Sequence, residues 1–144
     1  MRYFRGKKPA EYLFRLANRS DMGKVQTAMI IDDDVELGLL LAAILEHRKI
    51  HTMAVHSLPE AEEYLSYMKP TVVFLDNSFP EGLGVNFIRH IRTADDDIKI
   101  VMITGDANDW VEKKACEEGV HYFLRKPLST KTIDTVLDQM NMRR

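Results

Sequence analysis

Cysteine is almost missing from this sequence, because Cys116 is the one cysteine among 144 residues. A single cysteine excludes an internal disulfide framework and any zinc site built from several cysteines, and it fits a reducing compartment. Since Cys116 falls in a predicted helix, we expect it to be a small packed residue.

Long hydrophobic runs are missing as well. The longest run extends from Leu37 to Leu45, and nine residues are too few to cross a bilayer. The charged start of the chain is not followed by an apolar stretch, so it does not have the pattern of a secretory signal. We therefore expect a cytoplasmic protein that is not embedded in a membrane and whose domain has no membrane partner.

The composition is that of a globular domain, and its charge is distributed unevenly. Hydrophobic residues make up 45% of the chain and charged residues 29%. Residues 1–25 carry a net charge of +5, whereas residues 26–144 carry a net charge of −7. We accordingly divide the chain into a basic N-terminal extension, residues 1–25, and a domain, residues 26–144.

The N-terminal extension contains one pattern of its own. Residues Pro9 to Ala17 are predicted to form a short amphipathic helix with proline in its first turn. Three interpretations are open: a tail that binds nothing, a segment that docks on the domain or on a second chain, and a contact with membrane or nucleic acid.

Within the domain, apolar runs alternate with helical patterns. Strands are predicted at 27–31, 50–55, 71–75, 98–103 and 120–124, and helices at 35–48, 58–68, 83–92, 107–118 and 130–140. Strands without polar alternation are covered on both faces, which indicates a parallel sheet. The pattern predicts an α/β fold: a doubly wound, five-stranded parallel sheet of (βα)5 order.

Polar residues collect where these strands end, and ligands of doubly wound sheets bind at that edge. The residues in question are Asp32, Asp33 and Asp34 after the first strand, Asp76 after the third, Thr104 after the fourth and Lys126 after the fifth. Carboxylates held close together repel one another unless a cation is present. Mg²⁺ prefers oxygen ligands, so this edge is predicted to hold Mg²⁺ and a phosphoryl group.

With these motifs the sequence resembles the receiver domain of two-component response regulators, a family with the flavodoxin-like (βα)5 fold. The resemblance covers about residues 26–142. The motifs that carry it are Ile30-Ile31-Asp32-Asp33-Asp34, Leu75-Asp76-Asn77-Ser78-Phe79-Pro80-Glu81-Gly82-Leu83-Gly84, Ile103-Thr104-Gly105 and Lys126-Pro127.

The resemblance implies a role for each matched residue. Asp76 matches the aspartate that accepts the phosphoryl group, and Lys126 and Thr104 match residues that contact that group. Asp33 matches a direct Mg²⁺ ligand, Asp32 a residue that acts mainly through water, and Ser78 a residue that offers its backbone carbonyl to the metal. Asp34 has no matching role as a ligand.

Two further expectations concern the last strand and the turn after it. The resemblance implies that Phe123 matches an aromatic residue of the family, often tyrosine, that rotates together with the threonine when the domain switches. Phenylalanine keeps the steric part of this coupling with Thr104 and lacks the hydroxyl. The resemblance implies that the Lys126–Pro127 peptide bond is cis, because receiver domains use this bend to aim the lysine at the phosphoryl site, and X–Pro bonds adopt this form at low cost.

The implied function is phosphorylation of Asp76 by a sensor histidine kinase or a histidine phosphotransfer protein. Output is expected through contacts with a downstream protein, because only a few residues follow the last predicted helix. A dimer is compatible with the resemblance, and direct nucleic-acid binding is not favoured by the acidic domain. The alternatives are a flavodoxin-like module that binds FMN and a nucleic-acid-binding regulator with a basic arm.

Overall fold

Strands and helices alternate along the chain, as the hydrophobic pattern predicts. The structure, a computed structural model, describes residues 26–105 and 108–142, and the N-terminal extension with its predicted helix lies outside the described residues. The strands are β1 (Thr27–Ile31), β2 (His51–Val55), β3 (Val72–Asp76), β4 (Ser78–Phe79), β5 (Gly82–Leu83), β6 (Lys99–Thr104) and β7 (Tyr122–Arg125). The α-helices are α1 (Val35–His47), α2 (Leu58–Leu65), α3 (Ile88–Ala94), α4 (Asp109–Glu117) and α5 (Thr130–Gln139).

The main sheet has five parallel strands in the order β2-β1-β3-β6-β7. The change of direction in this order lies between β1 and β3, so the loops after these two strands open towards each other. The predicted doubly wound sheet is therefore confirmed. Each predicted strand is present, with ends that differ from the prediction by at most two residues.

Both faces of the sheet are covered, which explains the uninterrupted apolar strands. One hydrophobic cluster joins the sheet to α2, α3 and α4, and the other joins it to α1 and α5. All side chains of β1 and β3 are buried. None of the helices in the described part of the chain is long and apolar enough to span a membrane.

The segment after β3 differs from the prediction. Strands β4 and β5 form a small antiparallel hairpin, and a 3₁₀ turn over Gly84–Phe87 precedes α3. The sequence had predicted a loop followed directly by a helix from residue 83.

The expectation for Cys116 was wrong, since its side chain is exposed: Val111 and Ala115 form the inward face of α4, and the next residue points away from it.

A buried arginine joins the ends of α1 and α5. The side chain of Arg48 is only 3% exposed and donates to the carboxylates of Asp134 and Asp138, in each case at 2.9 Å. It also donates to the backbone carbonyl of Asp134 at 3.0 Å. These bonds satisfy the guanidinium and fix the last helix against the first.

Candidate functional site

The carboxyl ends of β1, β3 and β7 surround one open pocket. It has a volume of about 430 Å³ and is lined by Asp33, Asp34, Asp76, Ser78, Gly105 and Lys126. The strand-end rule had predicted this meeting of residues, and Asp32 and Thr104 lie buried directly beside it. The structure thus brings together all of the predicted site residues except Phe123, which lies in β7, three residues before Lys126.

Three carboxylates form the acidic part of the site. Carboxylate oxygens of Asp32, Asp33 and Asp76 all lie within 4.8 Å of one another. Asp32 and Asp76 are buried, whereas Asp33 is exposed. Asp34 instead caps α1, because its carboxylate accepts from the amide of Leu37 at 3.2 Å. The Asp34 side chain is therefore used to cap the helix, which agrees with the absence of a ligand role for it in the family motif.

Lys126 lies between the two buried carboxylates. Its ammonium nitrogen is 3.3 Å from Oδ1 of Asp76 and 3.5 Å from Oδ2 of Asp32. Its backbone amide donates to the carbonyl of Thr104 at 2.8 Å, which joins the ends of β6 and β7. The Lys126–Pro127 bond is cis, as expected. Burial alone would lower the pKa of Lys126, but the charges of Asp32 and Asp76 outweigh it and raise that pKa.

The surroundings of Asp32 and Asp76 disfavour the charged form of their carboxyl groups. Burial raises the pKa of Asp32 to about 6, although a hydrogen bond from the amide of Asp34 favours the charged form. Burial likewise raises the pKa of Asp76, and the nearby Lys126 offsets only part of that effect. Three carboxylates against one ammonium leave an excess of negative charge, so the group fits a divalent cation with oxygen ligands.

The β4–β5 hairpin carries Ser78 at the rim of this group, and residues that the sequence analysis did not single out hold the hairpin in place. Asn77 is buried, and its side-chain oxygen accepts from the amide of Val85 at 3.0 Å. The Glu81 carboxylate accepts from the amide of Leu58 at the start of α2. The sequence signal that could have revealed Asn77 is its position directly after the buried apolar strand and Asp76, where a polar side chain needs a hydrogen-bond partner.

Two hydrogen bonds hold the loop after β1 in place. The ring nitrogen Nδ1 of His56 donates to the backbone carbonyl of Asp32 at 3.0 Å, and the amide of Asp32 donates to the carbonyl of Val55. These bonds tie the first acidic residue to the end of β2. Sequence reasoning missed His56 because twenty-four positions separate the two residues and no spacing rule joins them.

The two residues predicted to act as a switch lie on neighbouring strands. Thr104 is buried at the end of β6, and Phe123 is half-buried in β7 against the cluster of α2, α3 and α4. The guanidinium carbon of Arg125 lies 5.7 Å from the centre of the Phe123 ring, and Arg125 also pairs with Glu112 of α4 at 3.2 Å.

Comparison with known proteins agrees with this geometry. The family model of the response regulator receiver domain matches residues 28–138. The beryllofluoride-activated NtrC4 receiver domain dimer is 31% identical, with a TM-score of 0.74 over 78% of this chain and 93% of that one. A response regulator of Burkholderia pseudomallei, solved with a phosphorylated aspartic acid and a calcium ion, is 24% identical, with a TM-score of 0.73 over 78% and 66% of the two chains.

The chain belongs to the response regulator receiver domain family. Among relatives, the phosphate regulon transcriptional regulatory protein PhoB of Escherichia coli K12 is 23% identical over 107 residues, which are 73% of this chain and 47% of PhoB. The chain thus spans about half the length of this curated relative. What the family match establishes is a phosphoacceptor receiver domain whose acidic group fits a divalent metal ion.

Proposed function

We propose that Asp76 takes up a phosphoryl group from a histidine kinase or a histidine phosphotransfer protein, with Mg²⁺ at the acidic group. Asp32, Asp33, Asp76 and the backbone carbonyl of Ser78 are the proposed metal ligands. The phosphorylated aspartic acid of the Burkholderia pseudomallei relative supports the same chemistry here. The protein would pass its signal on through contacts with a downstream protein.

One observation carries this proposal. Oδ1 of Asp76 lies 3.3 Å from the ammonium of Lys126, and Asp76 also offers a carboxylate oxygen within 4.8 Å of those of Asp32 and Asp33. A carboxylate that contacts a fixed cation and lies close to two further carboxylates that can bind a metal is placed to act as the nucleophile in a site for phosphoryl oxygens.

The residues of the chain divide the chemistry between them. An oxygen of the Asp76 carboxylate forms a bond to phosphorus while the bond from phosphorus to the donor nitrogen breaks, and the donor imidazole leaves with its electron pair. Charge on the phosphoryl oxygens is met by the ammonium of Lys126 and by the hydroxyl of Thr104. A bound Mg²⁺ would neutralise further charge on the same oxygens. Attack of water on phosphorus later restores the carboxylate and releases phosphate.

The switch is proposed to involve Thr104 and Phe123. Movement of the Thr104 hydroxyl towards the phosphoryl group would open space at the end of β6, and the half-buried ring of Phe123 would turn into it. Because the ring lacks a hydroxyl, neither position is held by a hydrogen bond from it. A dimer of phosphorylated chains is a further proposal, supported by the activated NtrC4 dimer.

The FMN-binding alternative is not supported by the loop after β1. Asp33 and Asp34 line the pocket where an FMN phosphate would have to bind, and their charges would repel it. The nucleic-acid alternative depends on the N-terminal extension, which lies outside the described residues.

Mass spectrometry after treatment with acetyl phosphate tests the proposal. The wild-type chain should gain one phosphoryl group in Mg²⁺, and Asp76→Asn should gain none. Lys126→Ala should label roughly 10²-fold more slowly, which is the usual effect of losing one stabilising group. Lys131→Ala, which removes an exposed lysine of α5, is the matched control and should label at the wild-type rate. Equal labelling of Asp76→Asn would refute the proposal.

A further inference from the structure

Helix α1 presents an apolar face to solvent. Six large apolar side chains are exposed within the described ranges, and three of them, Val35, Leu39 and Leu40, lie on this helix with exposed fractions of 54%, 44% and 44%. Ala43, one turn after Leu39, is exposed as well. We call these four residues the α1 face. Adjoining apolar residues on a surface mark a binding site far more often than a single exposed leucine does.

The N-terminal extension joins the domain at the end of this helix. Helix α1 ends at His47, and β2 begins at His51, which pairs with Thr27 of β1. The carbonyl of Gln26 accepts a hydrogen bond from the amide of His51 at 3.1 Å. Residues 1–25 are therefore attached beside the end of α1, on the sheet edge formed by the starts of the strands.

The length of the extension is sufficient to cover the α1 face. Helix α1 has 13 residues and is about 20 Å long. Residues 18–25 can span at most about 26 Å when extended, and a helix over residues 9–17 is about 14 Å long. Such a helix can therefore lie along α1 after a short connection, with residue 9 nearer the start of α1.

The chemistry of the two surfaces is complementary. The predicted helix has an apolar stripe of Tyr12, Leu13, Leu16 and Ala17, and residues 1–8 contain four basic residues and no acidic one. At the start of α1, Asp33, Asp34 and Glu36 are exposed. A helix placed along α1 in the stated direction brings the basic residues close to these three carboxylates.

We propose that the N-terminal extension of the same chain docks on the α1 face. The stripe of residues 12–17 covers the α1 face, Ala43 included, and the basic residues 1–8 lie beside Asp33 and Asp34. A helix of about nine residues is marginal alone, so burial of the two apolar surfaces supplies its stability. The proposal does not depend on phosphorylation of Asp76.

Thiol reactivity in the full chain tests this contact. In Ala43→Cys, a small residue of the α1 face becomes a thiol, and the native exposed Cys116 on the opposite side of the sheet is the internal reference. Alkylation by iodoacetamide is followed at each cysteine by peptide mass spectrometry. Adding Leu13→Asp and Leu16→Asp should speed labelling at position 43 by about threefold or more, as expected if two-thirds of the molecules are docked. Labelling of Cys116 should not change.

A charge-matched control separates apolar docking from a general effect of charge. Arg15→Gln with Asn18→Asp changes the net charge by the same two units on the other side of the predicted helix, and it should keep position 43 protected. Equal labelling of position 43 with and without Leu13→Asp and Leu16→Asp would overturn the proposal. Protection that increases with protein concentration would also overturn it, because a second copy would then cover the face.

Discussion

Gly84 lies against the backbone of Asp76 so closely that no side chain fits between them. A Cβ atom at Gly84 would be 1.9 Å from the Asp76 carbonyl oxygen and 2.9 Å from its carbonyl carbon. The amide of Gly84 also donates to the carbonyl of Asn77 at 2.8 Å. The glycine therefore sets the position of the end of β3, where the proposed nucleophile lies.

Gly84→Ala should accordingly damage both the fold and the site. Backbone atoms must move to admit the methyl group, and we expect a loss of about 1–3 kcal/mol in the free energy of unfolding. Gly38→Ala is the matched control, because its Cβ would meet the nearest atom, Cβ of Ala54, at an ordinary 3.9 Å. That change should leave stability unaltered or raise it by up to about 1 kcal/mol, as usual for glycine in a helix. Urea unfolding of the two variants measures the difference.

Removal of Asp33 should abolish the response to magnesium. A metal ion that binds only the folded state, at a concentration of ten times its Kd, stabilises that state by about 1.4 kcal/mol. This corresponds to a rise of a few degrees in melting temperature. In Asp33→Ala this shift should disappear, while the metal-free melting temperature rises because one of three clustered carboxylates is gone. Asp96→Ala, at an exposed position on the opposite edge of the sheet, should keep the full shift. Equal shifts in all three proteins would exclude Asp33 as a ligand.

The buried carboxyl of Asp32 should make metal-free stability depend on pH. Its pKa is about 6 in the folded state, against 3.8 for an ordinary aspartate. Between these values the folded state binds more protons than the unfolded chain does, so the free energy of unfolding rises as pH falls from above 6 to below 4. The gain from this group is at most about 3 kcal/mol. Subtracting the profile of Asp32→Asn removes the effect of titratable groups that do not interact with Asp32, and a flat difference would contradict the assignment.

Magnesium affinity should show the opposite dependence on pH. Protons compete with the metal for the Asp32 carboxylate, so the Kd for Mg²⁺ should increase as pH falls below about 6. Titration calorimetry at several pH values measures this directly. A Kd that stays constant from pH 7 to pH 5 would mean that Asp32 takes no part in metal binding.

Arg48 should matter more than an exposed arginine. In Arg48→Met, the carboxylates of Asp134 and Asp138 lose their shared partner, and we expect a loss of about 2–4 kcal/mol in stability. Arg89→Met breaks the pair of an arginine that is 79% exposed with Glu118, and it should cost less than about 1 kcal/mol. Thermal unfolding should rank the two variants in this order, and similar losses would contradict the role given to Arg48.

The fold was predictable because the apolar strands are its main determinant. Runs such as Thr27–Ile31 and Val72–Asp76 contain no alternation, and both strands prove to be buried on their two faces. The order of chain elements then placed Asp32, Asp76 and Lys126 at one edge, and the distances among them confirm that these side chains meet.

What the sequence did not reveal depends on contacts between distant positions or on backbone shape. Arg48 and Asp134 are 86 positions apart, and nothing local marks them as partners. The β4–β5 hairpin has strands of only two residues, too short for a pattern to appear. The contact of Gly84 with Asp76 arises from that hairpin. The sequence therefore shows a glycine in the motif, but it does not show that the backbone of Asp76 leaves no room for a side chain there.

The position of the phosphoryl group along the chain decides whether Asp76 is the acceptor. Borohydride reduces an aspartyl phosphate to homoserine, so a chain treated with acetyl phosphate and Mg²⁺ and then reduced can be mapped peptide by peptide. We expect homoserine at position 76 alone, and none when EDTA replaces Mg²⁺. Homoserine at Asp32, Asp33 or another carboxylate, or full conversion of Asp76 in EDTA, would contradict this expectation.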